Sequence, residues 1–258
     1  GQGALSVGPP YFNSMFLLPM LPLLALVSLG TFARWKRGQL EVSRRRIWSG
    51  LVLSLVLGLA LVMGLYGDRS LLGPIGVVLG LWIILSSLVD PLDRLRRGLS
   101  ISPAILGMTM AHIGLGVITV GITIMEVTMV ERDVALAPGE EVTLGEYTFR
   151  FEGTDEVDGP NYAAIRGRVV VTQEGGDEIV MLPERRNYFV SGQALAEAAL
   201  GVGWRRDLLA TLGEELGGGS WSLRLQVRPL MRYIWLGSAL MALGGLIATL
   251  DKRYRRRR

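Results

Sequence analysis

The stretch Ser102–Val127, SPAILGMTMAHIGLGVITVGITIMEV, decides the fold: it is almost wholly apolar and carries the only histidine in the chain, His112. About 20 apolar residues suffice to cross a bilayer as a helix, and this stretch is longer. An ionisable imidazole inside an apolar span is expensive and marks a functional site by default. Residues three or four positions away share a helix face; for His112 these are Met108, Thr109, Leu115 and Gly116. Gly116 is expected to leave room one turn along, while Gly114 and Gly121 add a small-residue surface for close helix packing. Room beside a buried imidazole suits a flat macrocycle whose metal takes a histidine ligand. A histidine that only hydrogen-bonds a neighbouring helix fits the same residues, so both readings stay open here. One histidine cannot fill both axial positions of a bis-histidine site, and a second ligand has to come from elsewhere.

Half of the 258 residues are hydrophobic, and they are bunched into runs. That is the composition of an integral membrane protein. The opening GQGALSVGPP has no basic region followed by an apolar core, so it does not read as a signal peptide; the chain reads as a piece of something larger. With no cysteine, disulfides, thiolate metal sites, cysteine nucleophiles and CxxC thiol exchange are excluded for these residues. A sequence pI near 9.7 invites a nucleic-acid reading, which the distribution of charge opposes. Residues 128–229 carry 10 Arg against 17 Asp/Glu, whereas the remainder carries 17 Lys/Arg against 6 Asp/Glu. The basic residues flank apolar segments, which is a membrane-orientation pattern.

Five spans are expected, at about 15–33, 47–66, 71–89, 102–127 and 231–250. Pro9, Pro10 and Tyr11-Phe12 precede the first, and Pro19 and Pro22 are placed in its first turns, where a missing donor does least harm. Arg34–Arg37 and Arg44–Arg46 fill the first loop, Gly67–Ser70 make a brief turn, and DPLDRLRRG is taken as the exit of the third span. Tyr233 and Trp235 bracket the fifth at one end, Asp251–Tyr254 and four arginines at the other. The segments 34–46, 90–101 and 251–258 hold 15 Lys/Arg and by the positive-inside rule are cytoplasmic. The N-terminus and 128–229 then lie outside, and His112 lies about 13 Å from the cytoplasmic end at 1.5 Å per residue. The terminal arginines read as an orientation signal in contact with anionic lipid, not as a nucleic-acid arm.

The external segment reads as a β-rich domain. VERDVAL is one strand; Val142, Leu144, Tyr147, Phe149 and Phe151 alternate along a second, which ends at Asp158–Asn161. Ala164–Thr172 and Glu178–Leu182 flank a hairpin loop, and Trp221–Val227 is the last strand. Ala194–Leu200 and Arg206–Leu216 are expected as helical patches, the second broken by Gly217-Gly218-Gly219. About 100 residues of this kind can bury a modest core, as a small sandwich or barrel. The fold class is thus an α-helical integral membrane protein of five transmembrane helices with an inserted β-rich extracytoplasmic domain. Its divisions are 1–127, 128–229 and 230–258.

Among chemical constellations, P-loop, HExxH and GxSxG patterns are absent, and the only histidine lies in a span, so Ser-His-Asp catalysis has nothing to use. Acidic pairs such as Asp155 with Asp158, or Glu214 with Glu215, read as solvated surface. Arg185-Arg186 and Arg205-Arg206 are candidates for gripping carboxylates, haem propionates included, through charge-assisted forks; internal salt bridges are the competing reading. Glu126 closes the outer end of the fourth span as a candidate or a hydrated carboxylate, and Met108 with Met110 read as packing.

SVGPPYFN, TMAHIGLGVITVGI, VERDVALAPGEEV, YTFRF, GPNY, PERRNYFVSGQ, EAAL, RDLLATLGEEL, RPLMRYIWLGSALMALGGL and DKRYRRRR together resemble the CcmF family, the cytochrome c-type biogenesis haem lyases. The resemblance runs over essentially the whole chain and corresponds to the family's C-terminal part. It implies a bacterial plasma-membrane protein that takes part in attaching haem to the CxxCH motif of apocytochrome c on the outer side. Implied partners are the haem chaperone CcmE, subunits of CcmH and CcmI type, and membrane lipid. It also implies a structural haem b held between two transmembrane histidines; the histidine of the AHxG element falls on His112, as an axial ligand of the haem iron. The family's tryptophan-rich WWD segment, its two flanking external histidines and its other transmembrane histidine have no counterpart here. An N-terminal portion or chain carrying them is therefore expected as partner. Two other classes compete: a transporter subunit, which would need polar residues in several spans, and an assembly scaffold in which His112 only packs.

Overall fold

A computed structural model describes residues 8–31, 40–65, 72–173, 175–190 and 192–251. The basic loop residues Arg34–Arg37, the Gly67–Ser70 turn and the tail after Asp251 lie outside the described residues, and Arg44–Arg46 are described in backbone only. The chain divides into two compact units: one is 1–127 with 233–258, the other Thr128–Arg232.

The first unit holds α1 (Pro9–Gly30), α2 (Leu40–Leu65), α3 (Leu72–Arg96), α4 (Pro103–Thr128) and most of α5 (Met231–Thr249). Among the described residues, α3 from Gly73 onward, α4 and α5 are long and apolar enough to cross a membrane, and Met15–Gly30 and Ile47–Met63 are shorter apolar segments. Two helix ends differ from the sequence expectation. α1 starts at Pro9 because a proline pair at the first helical positions gives up donors that have no intrahelical acceptor anyway. Pro19 and Pro22 therefore fall inside the helix and not in its first turns. α3 does not end before DPLDRLRRG. It runs through this segment, where Asp90–Arg94 and Asp93–Arg97 form i,i+4 ion pairs at 3.0 and 3.1 Å. Gly98, with φ +67°, then closes it, while the Leu99 amide donates to the Arg94 carbonyl at 2.9 Å.

Glycine sets the helix packing around α4. A side chain at Gly107 would sit 2.4 Å from the Gly244 carbonyl oxygen, and one at Gly114 would sit 2.5 Å from that of Gly237. Two heptad-spaced glycine series therefore bring α4 and α5 backbone to backbone, the approach that small residues permit. On another side of α4, Gly73, Gly76 and Gly80 of α3 face Val127, Thr123 and Val120, an antiparallel register. Asp251, just beyond α5, is buried and accepts a hydrogen bond from the Ala104 amide at 3.1 Å. It satisfies an orphan donor in the first turn of α4.

The second unit is two antiparallel sheets. One has the order β1-β10-β9-β8, formed by Val130–Leu136, Ser220–Pro229, Arg206–Gly217 and Ala199–Gly201. The other runs β2-β3-β4-β6-β7, formed by Glu141–Leu144, Tyr147–Asp158, Tyr162–Gln173, Glu184–Tyr188 and Ala194–Glu197, with β5 (Ile179–Met181) also on β4. Tyr147, Phe149 and Phe151 alternate inward on β3 and meet Leu208, Leu212, Leu223 and Leu225 in one core. Each such side chain, fully buried, contributes roughly 1.5–3 kcal/mol. The expected helical patches at 194–200 and 206–216 are strands. RDLLATLGEEL is rich in helix formers, but Leu208, Ala210 and Leu212 pair in register with Val227, Leu225 and Leu223. That long-range pairing overrides local propensity. Gly217, Gly218 and Gly219 all have positive φ and turn the β9–β10 hairpin instead of breaking a helix. The single strand expected over 142–151 is likewise two, β2 and β3, joined by a tight turn at Gly145, whose φ is +58°.

Candidate functional site

His112 stands midway along α4, and its environment follows from how that helix is gripped. At about 100° per residue, Gly107, Ala111, Gly114, Ile118 and Gly121 form the stripe against α5, while Gly116, Val120, Thr123 and Val127 form the stripe against α3. His112 lies at the margin of the α3 stripe, on the side of Met108, Leu115 and Ile122. Met108 is 40% and Ile122 45% exposed, and His112 itself is half-buried. The residues that share its face by spacing therefore divide: Thr109 and Gly116 turn towards α3 and are buried, while Met108 stays open.

The expectation that Gly116 leaves room for a macrocycle is corrected by the packing. A side chain at Gly116 would sit 2.5 Å from Ile84 Cγ1 and 2.7 Å from the Gly80 carbonyl oxygen. The missing side chain admits α3, and no open space remains at that point. Among the described residues, the open side of α4 beside His112 is that of Met108 and Ile122.

His112 Nδ1 is 2.7 Å from the carbonyl oxygen of Met108, one turn earlier. A carbonyl can only accept, so Nδ1 carries a proton and donates, which makes Nε2 the ring nitrogen left for a ligand. A backbone acceptor on one ring nitrogen is how ligating histidines are oriented and their tautomer fixed. Among the described residues of this unit, Trp82 Nε1 on α3 and Thr109 Oγ1, one turn before His112, are buried without a hydrogen bond. Glu126 is exposed near the other end of α4.

Arg185 and Arg186 do not form a common fork. As consecutive residues of β6 they leave the strand on opposite faces. Arg185 donates to the Gly213 carbonyl at 3.2 Å and to Glu214 at 3.3 Å. Arg186 donates to Glu184 at 2.8 Å and stacks over the Tyr162 ring at 4.6 Å, with Tyr188 edge-on to that ring. Glu184, buried on β6, also takes the Arg166 guanidinium at 2.7 Å. Burial pushes the Glu184 carboxyl up, but the bonds from Arg186 and Arg166 outweigh it and hold it below the usual carboxylate range. The same bond raises Arg186. Arg206 stacks over Tyr147 at 4.3 Å, whereas Arg205 is exposed. Sequence spacing also missed Asp207, which is buried and accepts from the Gly203 amide at 3.1 Å; its only sequence signal is an acidic residue inside an apolar alternation.

Residues 127–229 match the family described as the CcmF C-terminal beta-sandwich, in agreement with the two facing sheets. The whole chain aligns over 257 residues, at 37% identity, with the cytochrome c-type biogenesis protein CcmF of Escherichia coli K12, covering 100% of this chain and 40% of that protein. The chain is similar over essentially its whole length to the C-terminal part of CcmF proteins. CcmF of Pseudomonas fluorescens is 38% identical over 262 residues, which cover 97% of this chain and 39% of that protein. A solved structure, cytochrome c heme lyase CcmF, shares the fold with a TM-score of 0.77 at 20% identity, over 95% of this chain and 41% of the other. The chain thus spans about 40% of the length of the CcmF relatives it matches, their C-terminal part.

Proposed function

We propose that this chain is the C-terminal part of a cytochrome c haem lyase, in which His112 is one axial ligand of a haem b within the membrane. The observation that carries the assignment is the Nδ1–H bond to Met108 at 2.7 Å, which makes Nε2 the ring nitrogen left for a ligand. The donor chemistry fits a haem iron, and the open side of α4 at Met108 and Ile122 is where the ring has a free approach. A bound haem supplies one-electron chemistry at its iron. The chain supplies the rest: α3 and α5 hold α4 between glycine contacts, the Met108 carbonyl fixes the imidazole, and apolar neighbours exclude water.

In this reading the five helices span the bacterial plasma membrane with the N-terminus outside and the basic tail in the cytoplasm. The β-sandwich stands on the outer side as a docking surface for haem attachment to apocytochrome c. The second histidine and the WWD segment come from an N-terminal portion of the same lyase, and CcmE, CcmH- and CcmI-type proteins meet the assembled enzyme. The test is a dithionite-reduced minus oxidised visible spectrum of the purified protein together with its N-terminal portion. A b-type α-band that is lost in His112→Ala, while the variant keeps its helical circular dichroism, is the expected result. An unchanged band in that variant overturns the ligand assignment.

A further inference from the structure

The β8–β9 turn, Val202-Gly203-Trp204-Arg205, displays a tryptophan that is 80% exposed beside a valine that is 57% exposed. The display is held in place on both sides. The Gly203 amide donates to the buried carboxylate of Asp207 at 3.1 Å, and the Arg205 carbonyl accepts from the Leu230 amide at 3.0 Å. Gly203 has no room for a side chain, since a Cβ there would sit 2.8 Å from the Arg206 carbonyl oxygen. Asp207 also lies 3.6 Å from Arg232 Nε, in the first turn of α5. Leu230 itself has φ +57°, a left-handed conformation that a leucine adopts only when its surroundings impose it. The turn is therefore fixed to the residues from which α5 starts.

We propose that Trp204 and Val202 insert into the lipid headgroup region of the membrane that α5 enters, anchoring the sandwich to the bilayer surface. The inference rests on α5 being a membrane span, as in the functional reading above. Leu230 immediately precedes that helix, whose first turns carry Tyr233 and Trp235, and a group hydrogen-bonded beside Leu230 cannot be far from the same depth. Tryptophan is the side chain best suited to that layer, with an apolar body and one donor for the wet edge. Arg205 beside it, and Arg206 and Arg228 nearby, put three of the ten arginines of the acidic segment 128–229 at this end. Of these, Arg205 is exposed beside Trp204 and is the one whose guanidinium is free to meet a lipid phosphate, whereas Arg206 stacks over Tyr147. The rigid turn means that burying the indole orders little that is not ordered already.

The chain has no cysteine, so single nitroxide labels report cleanly. Trp204→Cys, Leu216→Cys and Leu243→Cys are labelled one at a time in the chain with its N-terminal portion, in nanodiscs of phosphatidylethanolamine and phosphatidylglycerol. Collisions with dissolved oxygen, which concentrates in lipid, are compared with those of a water-soluble nickel chelate. Leu216 sits at the far end of β9, roughly 30 Å away at 3.3 Å per residue, and reports water; Leu243, in mid-α5, reports the span. Oxygen dominance at 204 and 243 with nickel dominance at 216 is the expected result. Oxygen dominance at 243 with nickel dominance at 204 overturns the anchor and leaves the topology standing. A label at 204 shielded from both reagents, only when the N-terminal portion is present, overturns it in favour of a protein contact. Nickel dominance at 243 refutes the span reading itself, and the anchor with it.

Discussion

Replacing Glu184 with glutamine tests how the sandwich is held at β6. The carboxylate is 6% exposed and lies between Arg166, at 2.7 Å, and Arg186, at 2.8 Å. Glutamine keeps the shape but removes the charge, so one guanidinium keeps an acceptor and the other faces an amide donor. A hydrogen bond to a charged group contributes roughly 1.5–3 kcal/mol, and removing one partner of a fully buried pair costs roughly 3–5 kcal/mol. Arg166 and Arg186 keep side-chain exposures of 35% and 25%, and Arg186 keeps its stack on Tyr162, so the cost falls below the fully buried range and near that of the charged hydrogen bond. The expected loss is about 2–3 kcal/mol, a large share of the roughly 5–15 kcal/mol of a whole domain. Denaturant unfolding in mild detergent, followed by near-ultraviolet circular dichroism, measures it. The pH dependence supplies a second arm. Because the folded-state carboxyl is held below its usual range, its contribution is present above the unfolded value of about 4.3. It is lost as pH falls through the lower folded value. The gap between the wild type and Glu184→Gln must therefore close as the pH is lowered below about 4. A gap under about 0.5 kcal/mol at neutral pH, the size of an ordinary surface change, or one that widens in acid, would refute the reasoning.

Gly114→Leu should separate α4 from α5, because even a Cβ would lie 2.5 Å from the Gly237 carbonyl oxygen, whereas Gly245→Ala, with nothing within 4 Å, should leave the detergent melting temperature unchanged. Asp251→Ala removes the bond to the Ala104 amide and should cost about 0.5–2 kcal/mol, the range of a lost helix cap, read in the same thermal assay. Leu230→Gly relieves a left-handed leucine and should stabilise by up to about 1 kcal/mol; Leu230→Val should destabilise, and equal unfolding midpoints for the two would contradict the strain.

The apolar helices were legible because length and hydropathy are local properties; among the described residues α3, α4 and α5 are long and apolar enough to cross a membrane, while the apolar parts of α1 and α2 are shorter. The helix ends were less legible: the start of α1 depends on Pro9 and Pro10 taking the first helical positions, and the end of α3 on ion pairs that only a helix brings together. β9 was misread because Leu208, Leu209, Leu212 and Leu216 satisfy a helical stripe while Leu208, Ala210 and Leu212 satisfy a strand. Only pairing with β10 separates the two, and pairing is not local. At the site, His112 stood out by being a lone ionisable group in an apolar run. Which of its neighbours leave space could not be read, since Gly116 is open or filled according to where Ile84 of another helix lies.

The glycines of α4 bear on His112 itself. Gly107 and Gly114 lock the helix to α5, and Gly116 locks it to α3, at positions that flank the histidine within two turns in both directions. A helix gripped on two stripes by backbone contacts cannot rotate to bring its imidazole to a new partner, because any rotation drives a carbonyl of one helix into the other. The orientation of Nε2 is then set by packing before any ligand arrives, and the Met108 carbonyl completes it at the ring. A ligand held in this way loses little freedom on binding, which is what a permanent axial position demands and what a histidine that merely fills space has no need of. Gly114→Leu should therefore disturb a haem held by His112 although it touches neither the ring nor the iron.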